Sequence, residues 1–333
     1  MVITTSTIFS KVKEYIKFGQ RLQAHLSKHP DDWHKFQDTF NLTLDNVYND
    51  MLLFEKENIG KDESKVYKLQ KIFEKRYRHF FLCGTLIKWC FDKPYGYSGD
   101  FKIIDDIYQN QPISEGFARL WDNWFQQLTA AKSVRERKGD FKKLILEFVQ
   151  KHKGENLSIM NLASGPAREI KELLENDSEK LFSQTTFDCY DLEMRALEYA
   201  KQLLNNYSNI NFSQKNAIRL ALKKDIKEEI CCNYDLIYST GLFDYLDERI
   251  AVKLVGNLKK LLKPGAIMII ANAADKYSNS SAAWMEWAVD WYLIYRTESE
   301  FKKIFLDAGF SDESLQIILQ QNNVMQYCIA KSY

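Results

Sequence analysis

Apolar residues recur every three or four positions through the first half of the chain. Phe36, Phe40, Leu44, Val47, Met51 and Phe54 keep this spacing. So do Val66, Leu69, Ile72, Phe73, Tyr77, Phe80, Phe81, Gly84, Ile87 and Phe91. Residues three and four apart share one face of a helix, so both runs predict amphipathic helices. Ile59-Gly60-Lys61-Asp62 separates them, and the stretch from Pro94 to Gly99 breaks the pattern again. Ser98 is placed to cap a helix beginning near Asp100. Further helices fit residues 114–130 and 134–152.

From Gly154 the pattern changes. Short apolar runs, each followed by a helical stretch, predict strands over 157–162, 185–191, 210–212, 234–239 and 266–272. Helices are expected over 167–175, 193–205, 218–229 and 248–262. Such alternation predicts a mostly parallel sheet covered by helices. Thr297-Glu298-Ser299-Glu300 reads as a capping box opening a helix that Gly309 ends. Two closing strands follow, near 314–319 and 324–330, joined at Asn322-Asn323. The expected domains are residues 1–152, all helical and on the substrate side as a lid, and residues 153–333, the α/β half.

Composition narrows the class. The 333 residues suffice for two domains, and 45% hydrophobic with 27% charged residues is an ordinary globular balance. Lys+Arg 46 against Asp+Glu 45 leaves a net charge of +1. That balance gives no global reason to expect a nucleic-acid partner, although a local basic patch stays open. The cysteines at 83, 90, 189, 231, 232 and 328 form no C-x-x-C pair and read as free thiols of a reducing compartment. The five histidines show no metal-ligand spacing, so no metal is expected. Residues 1–9 lack the charge and apolar core of a signal peptide, and the run at 266–274 is too short to span a bilayer. A cytoplasmic protein without a membrane span is the expectation.

Candidate chemistry gathers where the predicted strands end, because open α/β sheets bind ligands outside the carboxyl ends of their strands. After the first strand, Asn161-Leu162-Ala163-Ser164-Gly165-Pro166-Ala167 forms a small-residue turn that lets backbone approach a ligand closely. Asp191, followed by Leu192, ends the second strand with a carboxylate able to accept both hydroxyls of a ribose. Asn216-Ala217 follows the third strand, where an amide and a backbone N–H can read an adenine edge. Ser239-Thr240-Gly241 ends the fourth, beside the reacting end of a ligand.

This set resembles the Rossmann-like S-adenosylmethionine-dependent methyltransferases, over roughly residues 154–333. Their glycine-rich motif is usually an acid followed by Gly-x-Gly-x-Gly. Here Asn161 stands for the acid, Ala163 and Ala167 replace the outer glycines, and Gly165 keeps the central one. Asp191, Asn216 and Leu262-Lys263-Pro264-Gly265 match the later motifs. The resemblance implies S-adenosyl-L-methionine as cofactor, bound by Asn161, Ala163, Ser164, Gly165, Asp191, Leu192, Asn216, Ala217, Ser239 and Thr240. It implies a mostly parallel sheet with an antiparallel last strand. A dinucleotide-binding fold is the rival, but G-x-G-x-x-G is absent.

A narrower resemblance covers nearly the whole chain. Pro94-Tyr95-Gly96-Tyr97-Ser98-Gly99-Asp100-Phe101, Tyr238 to Leu246, and Met285 to Arg296, together with Gly165-Pro166-Ala167, look like the bacterial methyltransferases of 3-hydroxypalmitic acid methyl ester biosynthesis. That family implies methylation of a fatty-acid carboxylate. An ionised carboxylate needs no general base, whereas a hydroxyl or phenol benefits from one, and no histidine lies beyond His152. A helix near 283–296 would carry Trp284, Trp287, Ala288, Trp291 and Tyr295 on one face, either as core or as an apolar acceptor pocket. Glu286 and Asp290 lie on its other face, either solvated or awaiting a cation. Arg296 either pairs with an acceptor carboxylate or caps that helix. Tyr97, Tyr245 and Arg296 are the candidate positioning residues. Tyr95, Phe243, Trp287, Trp291 and Tyr295 are the candidate acceptor contacts. The alternatives are another small-molecule hydroxyl or phenol, a macromolecular acceptor, or a non-catalytic cofactor-binding module.

Overall fold

A computed structural model describes residues 3–333; Met1 and Val2, where the expected helical half begins, lie outside the described residues. Among the described residues seven α-helices come first: α1 Thr5–Leu26, α2 Gln37–Asn58, α3 Glu63–Arg76, α4 Thr85–Asp92, α5 Phe101–Gln109, α6 Gly116–Gln127 and α7 Thr129–Lys151. The chain then alternates β1 Leu157–Leu162, α8 Arg168–Glu175, β2 Thr185–Asp191, α9 Met194–Leu203, β3 Ile210–Gln214, α10 Ala217–Leu222, β4 Tyr234–Ser239, α11 Glu248–Lys259 and β5 Leu262–Ala273. It closes with α12 Glu298–Asp307, β6 Leu315–Leu319 and β7 Met325–Lys331.

Compactness divides the chain differently from the boundary expected at 152. One unit takes the residues up to Lys132 together with Tyr277–Tyr292; the other takes Ser133–Lys276 and Leu293–Tyr333. The division falls inside α7, and a segment after β5 belongs to the helical unit.

In the sheet unit the strand order is β3-β2-β1-β4-β5-β7-β6. β3, β2, β1, β4 and β5 are parallel, while β7 runs antiparallel to both its neighbours. This is the mostly parallel, Rossmann-like sheet with an antiparallel end. Both faces are covered, which is why the central strands read as continuous apolar runs. In β1, Leu157 and Ile159 join one core with Phe141, Ile145 and Ile170. Met160 and Leu162 join the opposite core with Leu254, Leu258 and Phe305. The order reverses between β1 and β4, so the crevice outside their carboxyl ends is the topological switch point.

Local chemistry explains several element ends. Asp100, rather than Ser98, caps α5: its carboxylate accepts from Lys102 N and Ile103 N. Thr297 and Glu300 form the expected capping box on α12. The apolar run 66–91 is not one helix. It breaks between α3 and α4, where Gly84 sits at φ 84° and the Asp122 carboxylate accepts from Leu86 N, Ile113 N and Ser114 N. The helix expected over 218–229 is shortened to α10 and a single tight turn at Ile226–Glu228.

The helix expected near 283–296 forms only over residues 282–289, and 290–296 is not helical. Trp284–Ala288 makes one wide π-type turn, and Asp290 takes a left-handed φ of 50°. Within the helical unit, the Arg78 guanidinium grips the Asp290 carboxylate with two bonds of 2.8 and 2.9 Å. Lys93 Nζ donates to the carbonyl of Val289 at 2.7 Å. Asp290 therefore has the cationic partner that a solvated face would lack, and these bonds hold the turn against helical continuation.

Candidate functional site

The turn after β1 is pinned at each step. Ser164 N donates to Tyr190 O at 3.0 Å, Gly165 N to Asp191 Oδ2 at 2.8 Å, and Ala167 N to Ser164 O at 3.0 Å. Ala163, Gly165 and Ala167 have φ of 56°, 52° and 49°. Alanine disfavours this left-handed region by roughly 1–2 kcal/mol. The backbone thus keeps a shape suited to glycine at all three positions, although two of the glycines are gone. Such local strain persists only where the surroundings impose it.

Beneath the turn lies a buried polar group that sequence reasoning missed. Glu169, in the first turn of α8, accepts from Asn161 Nδ2 at 2.8 Å and from Tyr238 Oη at 3.0 Å. Burial pushes its carboxyl above the usual carboxylate range, against the pull of these two donors. Asn161 Oδ1 and Ser164 Oγ are buried without a hydrogen-bond partner. The only sequence signal for Glu169 was a carboxylate in the first helical turn, and its contact with Asn161 is tertiary.

At the end of β2, both carboxylate oxygens of Asp191 accept backbone N–H groups, from Gly165 and Glu193. Burial nonetheless raises its pKa. Leu192 beside it is exposed. Asn216 is the N-cap of α10, its Oδ1 accepting from Arg219 N at 3.1 Å, so that oxygen serves the helix. Ala217 opens that helix, where N–H groups have no intrahelical acceptor. Ser239, the expected ligand contact at the end of β4, is fully buried and donates its hydroxyl to Leu162 O at 2.8 Å, tying β4 to β1. Thr240, one residue on, is half-buried.

With this geometry in place, residues 160–268 match the family model of the methyltransferase domain. The chain carries a methyltransferase domain. Its chemistry is S-adenosylmethionine-dependent, and S-adenosylmethionine is its cofactor. No curated protein matches the chain. Among solved structures, a "possible exported protein" of Bordetella parapertussis shares 17% identity over 89% of this chain and 96% of its own, with a TM-score of 0.56. That likeness concerns the fold. Magnesium protoporphyrin IX methyltransferase of Synechocystis, solved with bound S-adenosylhomocysteine, shares 12% identity over 74% of this chain and 97% of its own, with a TM-score of 0.49.

The residues of this methyltransferase domain fit the cofactor. The turn offers buried, unpartnered oxygens at Asn161 and Ser164, and Asp191 ends the adjacent strand. An activated methyl group on a sulfonium is what the cofactor supplies when bound. The chain's own part is to hold and orient it.

The acceptor-side candidates of the methyltransferase scatter. Phe243, an expected acceptor contact, is fully buried in the core between the sheet and α11. The aromatic stripe is split between units. Trp284 packs edge-on against Trp124 and Phe125, and Trp287 against Phe73 with its indole N–H on Glu55 at 3.2 Å; both are in the helical unit. Trp291 is buried in that unit as well. Tyr295 lies half-buried against the core of the sheet unit. Arg296 caps no helix. Its guanidinium donates to Phe243 O at 2.8 Å and also to Leu246 O and Asn272 Oδ1, bracing the turn that carries Tyr245. Tyr245 and Tyr97 are exposed, and Tyr95 stacks on Phe101 at 5.2 Å.

Proposed function

We propose that the protein is an O-methyltransferase that transfers the methyl of S-adenosylmethionine, by in-line displacement, to the carboxylate of a small, fatty-acid-like molecule. One observation carries this reading. It is the lack of a histidine in the sheet strands and helices, together with the prior engagement of three acids near the strand ends. No histidine follows His152. The buried acids Glu169 and Asp244 and the half-buried Asp191 already accept hydrogen bonds from the protein. An acceptor that arrives as an anion needs no proton removed, and alignment supplies much of the remaining rate. The resemblance of the 94–101, 238–246 and 285–296 segments to the enzymes of 3-hydroxypalmitic acid methyl ester biosynthesis supports the same reading.

The helical unit is the proposed source of acceptor recognition. Its buried aromatic cluster holds Tyr48, Trp121 and Trp284, and each has a polar atom without a partner: Tyr48 Oη, Trp121 Nε1 and Trp284 Nε1. All six cysteines are free thiols, which suits a cytoplasmic location. Among the described residues no helix is long and apolar enough to cross a membrane.

The test is incubation with methyl-tritiated S-adenosylmethionine and separate acceptors: a long-chain 3-hydroxy fatty acid, a plain fatty acid, a phenol and an RNA. The expected product is an organic-extractable label released by mild alkali, as an ester is. Label in an alkali-stable ether or in RNA would overturn the carboxylate reading.

A further inference from the structure

We propose that β6 is an interface strand: it pairs antiparallel with β6 of a second copy of this chain and joins two sheets into one. The inference rests on the sheet unit alone and is independent of which acceptor is methylated.

β6 stands last in the strand order and is hydrogen-bonded on one side only, to β7. Successive residues of an antiparallel strand turn their N–H and C=O groups alternately to one side and the other. Gln320, just past β6, donates its N–H to Met325 O of β7 at 2.8 Å, so Ile318 and Gln316 also face inward. Leu315, Ile317 and Leu319 therefore turn their backbone groups away from the sheet. The N–H of Leu315 is answered locally, by Asp312 O. Among the described residues, the Leu315 carbonyl and both backbone groups of Ile317 and Leu319 have no protein partner. Leu319 is 50% exposed and Gln316 is exposed, so this edge is open.

Natural sheets guard an open edge with lysine, proline, a bulge or a covering element. β6 has none of these. It reads Leu-Gln-Ile-Ile-Leu, its register with β7 is unbroken, and no charged residue occurs between Glu313 and Lys331. The opposite edge, β3, ends at Lys215, whose ammonium pairs with Glu229 at 3.2 Å. An unguarded edge accepts another strand, and a copy of itself fits. About a two-fold axis at Ile317, Ile317 exchanges both backbone bonds with its own image. Leu319 N then meets the carbonyl of the partner's Leu315, and the symmetric bond forms in return. The Leu315 N–H, already used, is not needed. The acids before β6 fall opposite amides, Glu313 opposite Gln321 and Asp312 opposite Asn322, so no like charges meet. Such a pair consumes both β6 edges and closes at two copies. Paired strands of five residues bury less than a standard interface does, so the dimer belongs to the weak class.

Sedimentation of the full chain over about 1–100 µM, with amide exchange at both ends of that range, tests this. The parent should pass from monomer to dimer as it is concentrated. Exchange of residues 315–319 should slow with concentration, while that of 210–214 should not. Leu319→Pro removes an outward N–H and no bond to β7, and Leu319→Lys puts a charge on the edge. Each should weaken dimerisation by about 10-fold or more, the loss expected for the symmetric pair of hydrogen bonds from Leu319. Ser213→Lys on β3 should leave it within about twofold of the parent, as for a remote site. Thermal midpoints separate pairing from folding; if Leu319→Pro does not fold, Leu319→Lys and exchange in the parent decide. A parent that stays monomeric throughout, one that assembles beyond two copies, or a dimer that a folded Leu319→Lys leaves intact would overturn the proposal. So would protection of 210–214 in place of 315–319.

Discussion

Asp244 shows how one side chain sets a pH response. It is buried, accepts from Ala273 N at 2.6 Å and Asn272 Nδ2 at 3.2 Å, and has the Arg137 guanidinium 3.8 Å away. Burial outweighs the attraction of Arg137 and Arg296 and pushes its pKa up to about 6. In the unfolded chain the group ionises near pH 4. Between those values the folded state holds the extra proton, so stability falls as pH rises from about 4 to 6. The total loss is roughly 3 kcal/mol. Urea titrations across that range should show the slope in the parent and its absence in Asp244→Asn. At this scale the site was only half legible. Asp191 could be read because a carboxylate ending an apolar strand is conspicuous. Glu169 and Ser239 could not, because their roles depend on partners eight and 77 residues away.

At the scale of elements, the α3–α4 break rests on one glycine. A Cβ at Gly84 would lie 2.6 Å from Asp122 Oδ1 and 2.9 Å from Trp121 Cβ, and φ is 84°. Gly84→Ala must therefore strain the backbone and displace the carboxylate that holds three N–H groups. A loss of roughly 2–4 kcal/mol in chemical denaturation is expected. An unchanged midpoint would show that the break tolerates a side chain. In the sequence this glycine sat in register with an apolar helical run and read as part of it. Strands were easier. β1, β2 and β4 lie where their apolar runs placed them, because a strand buried on both faces leaves little choice of side chain. The segment 284–296 misled for the opposite reason. Its tryptophans are buried at helical spacing, but the helical stretch widens into a π-type turn and stops at the Arg78–Asp290 pair, well short of residue 296.

At the scale of the whole molecule, the helical unit is not a contiguous piece of chain. Its core takes Trp284 and Trp287 from the segment that follows β5. Truncating one buried tryptophan costs about 3–5 kcal/mol. Losing two, with the Asp290 pair, approaches the whole stability of a typical domain, about 5–15 kcal/mol. A fragment of residues 1–152 should therefore bind a hydrophobic dye and melt without cooperativity by circular dichroism. Joining residues 1–132 to 277–292 through a flexible linker should restore a sharp transition. A cooperative melt of the 1–152 fragment would refute this account.

The same inserted segment imposes an order on biosynthesis. The polypeptide passes between units three times, after residues 132, 276 and 292. A ribosome delivers the first six helices long before it reaches the tryptophans that complete their core. Until then the nascent helices carry an apolar gap, exposed while the whole of β1 to β5 is being translated. Chaperone occupancy of the emerging chain should therefore persist past residue 152 and fall only once residues 277–292 have left the exit tunnel.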